Sequence, residues 1–211
     1  NQLFDIWARR IKSDASMSSI FIEQSIAGAD LVLRDLVSHL ELRRDILPTD
    51  VFNRYVTSRE LHERLLSAKS ALPNLNVLSV VSPTGEVLNF SRSYPAVPEA
   101  GERINISDRE YFRTLTLNPG NSVISGTLRN RGDGRRVFFL ARKIQATDGR
   151  LLGIALAGID YDGLSSFLDE VSASVLEMGG GKAVSIYSNE CRIISVPEVI
   201  ETEPCASEES T

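Results

Sequence analysis

"RRVFFLARKIQATDGRLLGIALAGID", residues 135–160, decides the fold. Two apolar runs, "RRVFFLARKI" and "LLGIALAGID", flank "TDGR", whose Asp-Gly pair supplies the backbone freedom of a tight hairpin. They read as neighbouring antiparallel strands. Upstream, "NRGDG" at 130–134 is a second tip of the same kind, with "SVISGTL" before it as a further strand. Earlier still, "NVLSVVS" and "EVLNFS" are short β-rich runs joined by "PTG", another hairpin. A short helix over 107–115, closed by the turn "NPGN", falls between the two groups. Residues 75–160 therefore predict five strands with a helix inserted between the second and third. The class is α+β, one antiparallel sheet with helices laid against it.

The flanks are helical. No proline interrupts residues 1 to 47, and Ile22, Ile26, Ala29, Leu33, Leu36 and Leu40 recur at spacings of four and three, a heptad-like seam. Met17, Phe21, Gly28 and Val32 form a weaker second stripe. The seam suits either burial by the chain's own body or pairing with a partner helix, and spacing alone leaves both open. After Pro48, Thr57 and Glu60 have capping-box spacing, Leu61, Leu65, Ala68 and Leu72 share a face, and Pro73 stops the helix. A last helix is expected from Asp162 through Phe167, Leu168 and Val171 to "GGG" at 179–181, with a hairpin from "KAVSIYS" and "RIIS" beyond it. The tail turns acidic and small, a composition that frays.

Composition excludes several function classes. A net charge of -5 argues against nucleic acid as a partner, which wants a basic face. No run of about 18 apolar residues crosses a membrane. The opening "NQLFDIWARRIK", without an initiator Met or a signal-peptide pattern, reads as an excised piece of something longer. Cys191 and Cys205 fit either a small disulfide loop or two unpaired thiols, and not a zinc site, since neither histidine is near. There is no GxSxG elbow, Walker loop, HExxH or Gly-rich dinucleotide turn. His39 and His62 read as solvated helix residues, and "RGD" at 131–133 as a hairpin tip. A non-catalytic domain without metal or cofactor is expected.

"INISDREYFRTL", residues 104–115, stands out. Ser107 and Glu110 have capping-box spacing, so a helix should begin there. Arg109 then falls in the first turn, where the dipole disfavours a cation by roughly 0.3–1 kcal/mol. A bound carboxylate or phosphate would turn that cost into a site, because free N–H groups and a bidentate guanidinium would face the same anion. Tyr111 and Phe112 would supply apolar wall and the Tyr hydroxyl a polar contact. Pairing of Arg109 with a neighbouring carboxylate such as Asp108 or Glu110 is the other reading.

The same residues resemble the DRxYF signature of double-Cache, PAS-like sensor domains. "SVVSPTGEVLNFSRSYP" is similar to the first hairpin of that module, and "VISGTLRNRGDGRRVFFLARKIQATDGRLLGIALAGIDYDGLSSFL" to its closing strands and exit helix. The resemblance spans about residues 15–190, in wording most like the sensors of diguanylate cyclases, with histidine kinases next. It implies the periplasmic part of a membrane-anchored receptor. Residues 1–45 would be a long helix for signalling and homodimerisation, 46–178 a membrane-distal ligand-binding module, and 179–211 a partial membrane-proximal one. "GKAVSIYSNECRIISVPEV" resembles that second module's opening hairpin, with Glu190-Cys191 where the family has Asp-Gly.

The resemblance also implies site residues. Arg109 and Tyr111 match positions that hold a ligand carboxylate, and Asp160 the strand-end Asp that takes an amine in amino-acid-binding members. Those members carry a Tyr and an Asp on the third strand, which "SVISGTLRN" lacks. Ser125, Thr127 and Arg129 instead offer hydroxyls and a cation, chemistry suited to a carboxylate or other anion. The expected function is small-molecule sensing for a cytoplasmic diguanylate cyclase. The alternatives are the sensor of a histidine kinase or chemoreceptor, or a ligand-free dimerisation module.

Overall fold

The computed structural model describes residues 2–96, 103–163, 186–187 and 193–195, with side chains over 23–96 and 103–163. Its centre is the hairpin of β5 (Arg136–Gln145) and β6 (Leu151–Asp160), with Val137 opposite Asp160 and Lys143 opposite Ile154. Gly149, at φ 82°, makes the turn. The other side of β6 pairs antiparallel with β1 (Leu75–Val81), and β1 with β2 (Val87–Phe90). The predicted antiparallel sheet is present, in the order β2-β1-β6-β5, with further pairing along the free edge of β5.

One expected strand is broken in two. "SVISGTL" forms β3 (Ser122–Ile124) and, after a gap, β4 (Leu128–Arg129), both along the free edge of β5. Ser125 causes the break. Its N–H still donates to the Phe139 carbonyl at 2.9 Å, but the Phe139 N–H donates to the Ser125 hydroxyl, at 2.8 Å, in place of a carbonyl. Gly126 and Thr127 loop outward, and the register steps by one residue across them.

Alternation along β5 separates two cores. Phe138, Leu140 and Ile144 point to one face and Val137, Phe139 and Ala141 to the other. The first face is covered by α1 (Gln2–Ile46), α2 (Thr49–Val56) and α3 (Arg59–Ser70). Ala29, Leu33, Leu36 and Leu40 are buried there, so the described part of the heptad-like seam packs on the chain's own sheet. Each buried leucine stabilises the layer by about 1.5–3 kcal/mol. Three polar contacts tie the same helix to the sheet: Asn74 to Ser25, Arg142 to Asp30, and the Gln145 N–H to Glu41.

Two local expectations are corrected. The cap of α3 is Ser58, whose hydroxyl accepts from the Leu61 N–H at 3.2 Å, while Thr57 closes α2 by donating to Asn53 and Arg54 carbonyls. Nor are the histidines solvated. His39 shares a 2.7 Å hydrogen bond with the Tyr55 hydroxyl, and His62 is buried with Nδ1 2.9 Å from the Phe90 carbonyl oxygen. Buried Asn89 donates to the Val56 and Ser58 carbonyls, joining β2 to the α2–α3 corner.

The second face of the sheet carries α4 (Glu110–Leu117), which buries Tyr111, Phe112 and Leu115. Further on, β7 (Ile186–Tyr187) and β8 (Ile193–Ser195) form the expected antiparallel hairpin. The helix expected from Asp162 is described only over 161–163. The rest of it, both cysteines and the side chains of Met17, Phe21 and Ile22 lie outside the described residues.

Candidate ligand-binding site

The loop before α4 is positioned by a glycine. Gly85, at φ 91° in the β1–β2 turn, accepts the Ile106 N–H through its carbonyl at 2.9 Å. A Cβ there would lie 2.7 Å from the Ser107 nitrogen, so only glycine lets the loop dock. The Asn105 side chain accepts from the Ser107 N–H at 2.8 Å, and the Ile106 carbonyl from the Arg109 N–H at 3.0 Å. These turns consume the residues expected to open the helix. The helix starts at Glu110, with Arg109 in extended geometry at the cap position and no side-chain cap bond, so the Ser107–Glu110 capping box is not formed.

Arg109 and Tyr111 then line one cavity between the sheet and the α4 side, together with Arg92, Asn130 and Arg131. Val77, Phe90, Ile106, Phe139 and Leu156 make much of its apolar wall. Its free volume is about 40 Å³, room for a water or two. The Arg109 guanidinium donates to the Arg129 carbonyl at 3.0 Å, and no carboxylate among the described residues lies within ion-pair distance of it. Tyr111 is only 4% exposed and stacks on Phe139 at 5.5 Å. Burial pushes its phenol well above the usual range, so it stays a hydrogen-bond donor. Among the described residues that hydroxyl has no hydrogen-bond partner.

The other expected residues are not brought into this cavity. Ser125 and Thr127 line a separate groove at the break between β3 and β4, sharing Tyr111 with the first. The Ser125 hydroxyl is committed to Phe139 and Gly126. Arg129 is exposed and donates to the Gly134 carbonyl, entering the site only as the carbonyl that Arg109 holds. Asp160 accepts from the Asp162 N–H at 3.0 Å and stands 3.7 Å from Arg135.

The residues missed in the sequence are Arg92, Asn130 and Arg131. Arg131 holds Asp108 with two contacts, of 2.8 and 2.5 Å, and the pair keeps the Asp108 carboxyl below its ordinary range. Arg92 pairs with Asp133 at 2.8 Å and bonds Asn76, which also accepts from Asn130. Both ends of "RGD" are thus ion-paired across the cavity mouth, a use invisible in a turn motif.

The sheet thus carries helices on both faces and a cavity beside the DRxYF turn. The family profile for the Cache domain matches residues 8–202. The chain belongs to the Cache domain family. Cache domains are non-catalytic, ligand-binding sensor domains on the extracytoplasmic side of membrane receptors. Among the described residues no helix is long and apolar enough to cross a membrane.

Solved structures of the same fold include the extracellular domain of rpHK1S-Z16, named as a histidine kinase, at 26% identity and TM-score 0.63 over 88% of this chain and 70% of that one. The ligand-binding domain of the Pseudomonas aeruginosa PAO1 amino acid chemoreceptor PctC, in complex with GABA, matches at 16% and 0.57 over 89% of this Cache domain and 75% of that chain. The sensory domain of the Campylobacter jejuni chemoreceptor Tlp3 with isoleucine bound matches at 12% and 0.59 over 92% and 71%. These neighbours are sensors of histidine kinases and chemoreceptors, not specifically of diguanylate cyclases. No curated protein matches the chain in sequence.

Proposed function

We propose that this Cache domain is the periplasmic sensing part of a membrane-bound signal transducer and recognises a small carboxylate or similar anion. The observation that carries this reading is the pairing of Arg109 with Tyr111 at one cavity. A guanidinium without a described acidic partner meets there the hydroxyl at the open end of the otherwise buried Tyr111, which has no described hydrogen-bond partner. An anion would satisfy both, with Arg109 in bidentate contact and Tyr111 donating. Among the described residues no carboxylate lines the cavity to meet an ammonium group, and Asp160 faces Arg135 instead. A ligand without an amine therefore suits this site better than the amino acids named with the chemoreceptor neighbours, GABA and isoleucine.

Ser125, Thr127 and Arg129 support the site from its edge in this reading, through the neighbouring groove and the carbonyl that orients Arg109. Output passes through α1 to a cytoplasmic domain, a diguanylate cyclase on the sequence resemblance, or a histidine kinase or chemoreceptor on the structural neighbours. A homodimer would pair through the outward face of α1, where Leu31 and Leu42 are exposed, since the seam faces the sheet. The test is a thermal-shift screen of organic acids, amines and amino acids followed by calorimetry on Arg109→Ala. Loss of anion binding with the melting temperature retained is expected. Equal binding by the variant would refute the pocket assignment.

A further inference from the structure

The cavity is too small for the ligand assigned to it. About 40 Å³ admits a water or two, so a carboxylate with any carbon skeleton requires one wall to move. The hairpin over 130–135 is the wall built to do so. It is internally braced: the Asn130 N–H donates to the Arg135 carbonyl, the Gly134 N–H to the Asn130 carbonyl, and the Gly132 N–H to the Asn130 side chain. It would move as a unit.

Its two attachments differ. On the inner side Asp133 meets Arg92, with the two side chains 26% and 20% exposed, and Asn76 bonds Asp133, Arg92 and Asn130 together. On the outer side Arg131 meets Asp108, with the side chains 37% and 63% exposed, and donates to the Asn105 carbonyl. Water and salt screen an exposed pair even when it is bidentate, and screen a half-buried network much less. The outer attachment therefore opens first, with the inner one as the pivot.

We propose that Arg131 is a second anion-binding residue, occupied in the closed site by Asp108 as an internal stand-in, and that a ligand carboxylate displaces Asp108 and takes Arg131 together with Arg109. This rests on the anion-sensing reading above and adds the competitor and the moving element. Asp108 sits beside the cap residue of α4 and is exposed, so water can take the place of the guanidinium on its carboxylate. Arg131 lines the cavity already, so the exchange needs no new element to arrive.

The experiment is isothermal calorimetry with propionate, succinate and inorganic phosphate on the chain as described. The proteins are the wild type, Asp108→Asn, Arg131→Gln, the double variant and Arg109→Ala, each checked for folding by circular dichroism. Asp108→Asn is expected to bind at least one probe about two- to five-fold more tightly, the fold-change that release of an exposed ion pair gives. Arg131→Gln should bind that probe about tenfold or more weakly, as loss of a charged contact does. In the Arg131→Gln background, Asp108→Asn should change nothing.

Unchanged affinity in Asp108→Asn overturns the stand-in, and so does tightening that persists without Arg131, which would be a plain field effect. Wild-type affinity in Arg131→Gln overturns Arg131 as a ligand residue. Binding that survives Arg109→Ala refutes the site reading instead. Absence of binding by wild type and Asp108→Asn alike, for every probe, refutes both.

Discussion

Replacing Asp30 by Asn tests how the long helix is fastened to the sheet. Asp30 Oδ1 accepts from Arg142 Nε at 2.6 Å and lies 2.6 Å from Nη2, while Oδ2 accepts from Arg34 Nε at 2.8 Å. The Asp30 and Arg142 side chains are 23% and 18% exposed, whereas Arg34 is 64% exposed. Asn keeps the shape and nearly the helix propensity, so the change removes charge alone. Exposed pairs are worth about 0–1 kcal/mol, and breaking buried ones costs about 3–5 kcal/mol. This half-buried pair falls between, at about 2 kcal/mol, or a melting shift of about 4–8 °C in a domain of this size. A double-mutant cycle with Arg142→Met, followed by urea denaturation, should return a coupling of about 1–2 kcal/mol. Arg34→Ala should cost under about 0.5 kcal/mol. Burial raises the Asp30 pKa, but the hydrogen bonds and charges of Arg142 and Arg34 outweigh it and hold it below the ordinary value. The stabilisation is thus complete above about pH 4 and is lost as pH falls through the depressed folded value, where wild type and Asp30→Asn should converge. A coupling below about 0.3 kcal/mol, or an Arg34 variant as damaging as the Arg142 one, would refute the reasoning.

Two further outcomes follow from local geometry. Gly85→Ala should destabilise the fold by about 1–3 kcal/mol, from the positive φ and the 2.7 Å approach to Ser107, and should weaken anion binding by loosening the loop before α4; calorimetry and denaturation on one preparation read both. His39 has its pKa lowered by burial and by Arg64 and Arg43, against Asp35 and Glu60. The unfolded chain therefore takes up a proton at higher pH than the folded one. Melting temperature should be level above about pH 6.5 and fall as pH drops toward the folded value, and His39→Gln should flatten that slope.

The β5–β6 hairpin was legible because alternation and Asp-Gly turns are local properties of the chain. Phe138 and Phe139 stand side by side in sequence, and period-2 geometry alone sends them to opposite cores. The seam on α1 was legible as a stripe but not as to what it meets, since a sheet and a partner helix ask for the same spacing. The site was half legible. Arg109 and Tyr111 lie in one short motif and reach one cavity, while Arg92 and Arg131 come from separate loops brought together by the sheet. The place of Ser125, outside the cavity of Arg109, has a sharper cause. A hydroxyl that substitutes for a backbone carbonyl in a ladder has the same sequence appearance as one that greets a ligand. The capping errors at Ser107 and Thr57 arise alike, because several residues near each helix start are competent caps and the adjoining turn selects among them.

On the sensing reading, β5 is the element that both faces of the sheet must share. Phe139 lies on the cavity and under Tyr111, while Phe138, Leu140 and Arg142 of the same strand face the α1 layer. A ligand shifts the equilibrium of the receptor only by the difference in its affinity for two arrangements. Entry into a cavity of about 40 Å³ supplies such a difference, because the closed arrangement does not admit the ligand. If the opening displaced the 130–135 hairpin alone, β5 would stay in place and α1 would feel nothing. Coupling requires that displacement to reach β5, and the route is covalent: the hairpin runs directly into Arg136, the first residue of that strand, which β4 and β6 hold from either side. The Asp30–Arg142 contact is then a polar link through which movement of the strand would reach the helix, beyond the apolar contacts of Phe138 and Leu140.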